Sequence, residues 1–151
     1  MTSDADSRTY PERPVVGVGV VVWRRDSFLL VRRGKSPHKG QWSLPGGAQH
    51  LGETVFEAAG REIMEETGLS IEDLRLIDVV DSLYKDDEGG IQFHYTLVDV
   101  MAESAAGTAV AGDDAEAVGW FRLNDLAELG LWSETERIIR ASAEKRAADA
   151  T

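Results

Sequence analysis

Gly46-Gly47-Ala48-Gln49-His50-Leu51-Gly52-Glu53-Thr54-Val55-Phe56-Glu57-Ala58-Ala59-Gly60-Arg61-Glu62-Ile63-Met64-Glu65-Glu66-Thr67-Gly68-Leu69 is the stretch of this chain that explains its surroundings. Its second half reads as a helix over 54–67. Thr54 is a fitting N-cap with Glu57 three residues on, the spacing of a capping box, and Gly68 follows the last turn as a C-cap glycine. Val55, Phe56, Ala59 and Ile63 recur at helical spacing and form the expected buried stripe. Glu62, Glu65 and Glu66 stand at i, i+3 and i+4 and share a face. Like charges at that spacing repel, and the partial negative charge of a helix C-terminus adds to the strain. A compensating cation is expected. The helix alone leaves two readings open. One is a hard divalent ion, Mg²⁺ or Mn²⁺ rather than zinc, held by carboxylate oxygens. The other is a solvated acidic face neutralised by Arg61.

Outward from this helix, the chain has the proportions of one ordinary domain: 151 residues, 42% apolar and 28% charged. It has no cysteine, which excludes disulfides, thiolate metal sites, iron–sulfur clusters and thiol nucleophiles, and agrees with a cytoplasmic location. No apolar run approaches the roughly 20 residues of a membrane helix, and the acidic, polar start is unlike a secretory signal. Net charge is −11, which argues against stable nucleic-acid binding. The charge is unevenly spread. Arg24, Arg25, Arg32, Arg33, Lys35 and Lys39 crowd one short stretch, whereas most carboxylates follow residue 52. Such a split suits a small anion held partly by basic side chains and partly through a metal, or else a basic hairpin in water.

Residues 15–23 and 28–33 read as a hairpin around a polar turn, 34–40 as a loop, and 42–44 as a short extended piece ending at Pro45-Gly46-Gly47. Two long strands, 74–84 and 91–101, flank an acidic, Gly-rich turn. A polar loop over 104–116 leads to a strand at 118–121. A short helix follows at 123–129, and then a final helix capped by Ser133. The expected organisation is a flexible tail over 1–14, one domain over 15–141 and a frayed end over 142–151. The fold class is α/β (α+β), with helices packed on a mixed sheet.

Gly47, five residues, Glu53, seven residues, then Arg61-Glu62-Ile63-Met64-Glu65-Glu66-Thr67-Gly68-Leu69 resembles the Nudix box at every defined position. Gln41-Trp42-Ser43-Leu44-Pro45-Gly46-Gly47 resembles that family's lead-in, and Val118-Gly119-Trp120-Phe121 its late strand. The resemblance to the Nudix hydrolases implies an α/β/α sandwich with a mixed sheet and a loop–helix–loop catalytic unit. It implies metal ligation by Glu62, Glu65 and Glu66, and a role as base for Glu62 in some members. Arg61 would orient the acidic side chains and pair with Glu53, while Gly46 and Gly47 would let the backbone approach the metal site, both as candidates for substrate contact and Gly46 as a candidate metal ligand. A further carboxylate from the loop before the late strand is expected among Asp113, Asp114 and Glu116. Glu116 is the preferred extra ligand or general base, with a solvated acidic loop as the alternative.

Arg32, Arg33, Lys35 and Lys39 are candidates for phosphate contact. Trp42 is a candidate to flank a base, with core packing as the alternative. Tyr84 and Phe93 are weaker candidates to line a substrate cleft, and the three histidines show no ligand spacing. The implied reaction is metal-dependent hydrolysis of a phosphoanhydride in a nucleoside diphosphate linked to another moiety, ADP-ribose or a nucleoside-diphosphate sugar being the leading choice. A MutT-type hydrolase of (d)NTPs and a catalytically silent binding module are the alternatives. The sequence admits a homodimer without requiring one.

Overall fold

The valine-rich run forms the central strand, β1 (Val15–Arg24), in a computed structural model that describes residues 8–34, 38–112 and 114–150. Val18, Val20 and Val22 pack with Ala58, Ala59 and Ile63 on one face. Val21 and Trp23 pack with Ile138 and Ile139 on the other. A strand covered on both sides has no polar face, so it is marked by a run of apolar residues rather than by alternation. β2 (Ser27–Arg33), β3 (Trp42–Ser43) and β4 (Gly46–Ala48) precede the helix α1 (Val55–Thr67). The long strands β5 (Glu72–Lys85) and β6 (Ile91–Glu103), then β7 (Ala115–Phe121), follow it. A 3₁₀ turn at Leu123–Asp125, the short α2 (Leu126–Leu129) and the long α3 (Ser133–Asp149) complete the chain.

The strands form one mixed sheet in the order β3-β2-β1-β6-β5, with β4 on β1 and β7 on β2. β1 and β6 run parallel, in unbroken register from Val15↔Tyr95 to Trp23↔Glu103, and the other pairs are antiparallel. The two core clusters place α1 and α3 on opposite faces, giving the three-layer sandwich. The early half of β1 pairs with β4 and its far end with β2, so the two neighbours diverge along it. β4 therefore delivers the chain to the base of α1.

Several local expectations change. Phe56 is 45% exposed, and Ala58 takes its place in the core beside Ala59 and Ile63. The stripe is displaced because the sheet presses on small residues where the helix lies closest. Ser133 is the first helical residue of α3, preceded by Trp132, which makes no side-chain capping bond. β7 begins at Ala115, so Glu116 is a strand residue rather than a loop residue. Gly46–Ala48 is itself a strand.

Residues 142–149 continue α3, where fraying was expected. Arg146 forks onto Glu103, donates to the Arg25 carbonyl and lies 4.8 Å over the Trp23 ring, whose Nε1 donates to Ser142. Of the expected N-terminal tail, residues 1–7 lie outside the described residues. Tyr10 is tied to the β5–β6 turn through Gln92 and Asp86. No helix of the described residues is long and apolar enough to cross a membrane.

Candidate catalytic site

The capping box of α1 is fully formed. Thr54 Oγ1 accepts from the Glu57 amide at 3.1 Å and the Glu57 carboxylate accepts from the Thr54 amide at 3.0 Å. At the other end, Gly68 adopts φ 75°, and its amide donates to the Met64 carbonyl. The helix is thus fixed at both ends, and its last two turns carry the three glutamates.

Arg61 organises the charge. Its Nε and Nη2 donate to the two oxygens of Glu53 at 3.0 and 2.7 Å, a bidentate pairing. Nη2 also reaches the Ala48 carbonyl at 3.0 Å, while Nη1 donates to Glu62 at 2.8 Å and to Glu65 at 3.2 Å. The Arg61 bonds, with a further one from the His50 amide, hold the Glu53 carboxyl down at about 2. The guanidinium therefore anchors β4, the loop after it and α1 to one another.

Two glycines let β4 lie close to its neighbours, Gly47 to this helix and Gly46 to β1. A Cβ on Gly47 would fall 2.4 Å from a Glu62 carboxylate oxygen, and one on Gly46 would fall 1.9 Å from the Val18 carbonyl oxygen. Gly46 donates its amide to Glu66 at 3.4 Å. Burial first, and the neighbouring Glu62 second, push the Glu66 carboxyl up to about 8. A buried carboxyl beside another is the environment a cation would relieve, and carboxylate and carbonyl oxygens are donors suited to Mg²⁺ or Mn²⁺. Glu62 and Glu66 fit such an ion. Glu65 is turned to Arg61, and among the described residues no three acidic or imidazole side chains converge closely enough to hold an ion as they stand.

The other expected residues divide. Arg32, Trp42 and Glu116 come together from β2, β3 and β7. Arg32 Nε is 3.3 Å from Glu116, and its guanidinium lies 5.5 Å from the Trp42 ring, which meets Phe121 edge-on. Glu116, expected as extra ligand or base, is thus engaged by Arg32, and among the described loop carboxylates the charge of Asp114 contributes, as the smallest cause, to the upward shift of Glu66. Trp42 packs partly into the core below α3. Arg33 and Lys39 are exposed, and Lys35 and Asp113 lie outside the described residues. Tyr84 and Phe93 sit beside each other across β5 and β6.

Residue-by-residue reading missed the Ala48 carbonyl, Gly112 and Asp99. Only Asp99 left a signal: a lone carboxylate between valines in Val98-Asp99-Val100. A depression of about 770 Å³ lies away from α1, lined by Trp23, Arg75 and Arg146 among others. Its charges are largely paired among themselves, Arg146 with Glu103 and Arg75 with Asp149.

The NUDIX domain family pattern matches residues 13–141. The chain belongs to the Nudix hydrolase family. This Nudix hydrolase is 38% identical over 127 residues to a Methanocaldococcus jannaschii protein named ADP-ribose pyrophosphatase, covering 84% of this chain and 72% of the relative. It is 30% identical to a MutT-like protein of Streptomyces ambofaciens, covering 85% and 76% of the two chains. Among solved structures, the MutT NUDIX hydrolase of Burkholderia pseudomallei superposes with a TM-score of 0.73 at 35% identity, covering 86% of this chain and 98% of that one. The NUDIX domain of Shewanella oneidensis NrtR, solved with ADP ribose, gives 0.74 at 20% identity, covering 95% and 99%, and shares the fold.

Proposed function

We propose that this Nudix hydrolase cleaves the diphosphate bridge of ADP-ribose or a nucleoside-diphosphate sugar, using Mg²⁺ or Mn²⁺. The observation that carries the reading is the crowded pair Glu62 and Glu66, the first held by Arg61 and the second by the Gly46 amide, a cluster that needs a cation to be at ease. When bound, a divalent ion supplies charge neutralisation of the diphosphate and activation of water. The chain supplies the rest. Arg61 fixes the direction of Glu62, Gly46 and Gly47 bring backbone to the glutamates, and Asp114 adds negative charge beside Glu66. Arg32, beside Trp42 and Glu116, is a guanidinium suited to a phosphate. The named activity of the Methanocaldococcus relative supports the choice of ADP-ribose.

A cytoplasmic location and a homodimer belong to the same proposal. The long edge strand β5, with exposed Leu76, Val79 and Leu83, supports the second.

The test is to incubate the protein with Mg²⁺ and, separately, ADP-ribose, NADH, a diadenosine polyphosphate and the common (d)NTPs, then identify the products by chromatography. AMP plus ribose 5-phosphate is the expected result. A (d)NMP plus pyrophosphate from one triphosphate would transfer the protein to the MutT-type reading, which the Streptomyces relative favours. Silence across the panel, with metal still bound, would favour a binding module.

A further inference from the structure

Asp99 is a buried carboxyl that the fold leaves without a partner. It is 6% exposed, yet among the described residues nothing donates a hydrogen bond to it. The cation whose charge reaches it, Arg137 of α3, donates instead to Asp78 at 3.1 Å and to Glu134. A buried carboxyl without a donor costs stability, a cost that proteins carry at sites that bind or react. One side of its surroundings is open. α3 packs Ile138 and Ile139 on Val21, Trp23 and Met101, and short of that contact Gly19, Leu44 and Leu97 stay half-buried. Gly19 is the register partner of Asp99 on one side and of Gly46 on the other. A Cβ on it would fall 2.4 Å from Asp99 Oδ1 and 3.6 Å from Leu44 Cδ1. The central strand thus offers bare backbone as the floor of a recess, with the Asp99 carboxyl and Leu44 as its walls. Past the floor, the Gly46 amide donates to Glu66. Two strand spacings, roughly 10 Å, separate the backbones of Asp99 and Gly46. That is about the reach of an adenine amino group from the 5′ phosphate of its nucleotide.

We propose that Asp99 determines specificity by accepting a hydrogen bond from the exocyclic amino group of adenine, the base lying over Gly19 between Asp99 and Leu44. A flat ring needs a floor without side chains, which Gly19 supplies. Burial raises the Asp99 carboxyl to about 7, so both of its forms are present near neutrality, and either form accepts from an amino group. This rests on the reading of the Glu62–Glu66 cluster as the place where the diphosphate of an adenine nucleotide is cleaved. It goes beyond it by assigning the residue that holds the far end of the substrate.

A cycle of variant against ligand tests it in the full-length protein. AMP and purine riboside 5′-monophosphate, which lacks only the amino group, are each titrated in Mg²⁺ into wild type and Asp99→Leu. Wild type should bind AMP about tenfold more tightly than the amino-free nucleotide, and Asp99→Leu should bind both with the same weakened affinity. In protein carrying carboxyl-¹³C aspartate, the resonance missing from Asp99→Asn should shift with AMP and saturate. Equal affinities in wild type would overturn the proposal, as would a preference that survives in Asp99→Leu, an Asp99 resonance unmoved at saturation, or failure of AMP to bind. Should Asp99→Leu fail to fold, the two nucleotides and the resonance in wild type still decide. On ADP-ribose, Asp99→Leu should raise KM about tenfold with kcat within about twofold. The binding arms involve no turnover. AMP held at Asp99 by a protein that leaves ADP-ribose intact would overturn the reaction assignment alone, and ADP-ribose cleaved with equal efficiency by Asp99→Leu would overturn the role of Asp99 alone.

Discussion

Glu66→Gln keeps the size of the side chain while removing a charge that the fold does not want. Burial and Glu62 already push this carboxyl up to about 8, so the metal-free fold has nothing to lose by the change. The expected outcome is a metal-free melting temperature equal to or above wild type, with kcat reduced at least about a hundredfold, read from melts and steady-state kinetics on one preparation. Near-normal turnover would remove Glu66 from the reaction centre.

Asp99 poses the same physics on the other face of the sheet. It is 6% exposed and lies over β1, where a Cβ on Gly19 would stand 2.4 Å from its carboxylate oxygen. Burial raises it to about 7 from an ordinary 3.8, with Arg137 opposing and Asp78 and Glu134 reinforcing the shift. A carboxyl raised by folding costs nothing below about pH 4, where it is neutral in both states. Its penalty grows as pH climbs through the folded value. Asp99→Asn should therefore match wild-type stability near pH 4 and exceed it at pH 8, by up to about 4 kcal/mol. Denaturant unfolding at the two pH values checks the crossing, and parallel curves would count against it.

At the scale of elements, α1 does two tasks with one surface pattern. Its buried side is built from Ala58, Ala59, Ile63 and Thr67, small enough to bring the helix close to β1 and β4. That closeness is what puts Glu62 against Gly47. Because the like-charged C-terminal turns weaken the helix, its N-terminal box matters more than usual. Thr54→Ala removes the hydroxyl that accepts from Glu57 and should cost about 1 kcal/mol. Urea unfolding monitored by circular dichroism would show it as a lower midpoint at unchanged slope. Activity per folded molecule should change little, since Arg61 and Glu53 hold the other end of the unit.

Across the whole molecule, the final helix is fastened to the sheet far from the glutamates. Arg146 joins Glu103 of β6, the Arg25 carbonyl and the face of Trp23 in one contact. Arg146→Ala should lower stability by roughly 1–3 kcal/mol, since Glu103 loses its ionic partner and the ring its cover. kcat should stay at the wild-type value. An unchanged unfolding midpoint would show the fastening to be ornamental, and a large drop in kcat of the folded protein would show coupling to α1 through the sheet.

The helix, its caps, the carboxylate face and the glycines before it were legible because they depend on neighbours within a few residues, where spacing and local hydrogen bonding suffice. The same holds for the doubly buried β1, whose valines leave no polar face, and for the mixed α/β class that follows from the order of elements. Distance along the chain hid the rest. Phe56 and Ala58 could not be ranked until the sheet was laid against α1. Glu116 and Gly112 are four residues apart, yet the antiparallel pairing of β2 with β7 sets Glu116 beside Arg32, while the loop before β7 lays the Gly112 amide on the Glu66 carbonyl. The need for a bare backbone at Gly112 comes from a helix some 45 residues earlier in the chain. Local chemistry is written in short-range pattern. Which distant groups meet is set only when apolar faces are buried together, and that burial specifies the partners no spacing can name.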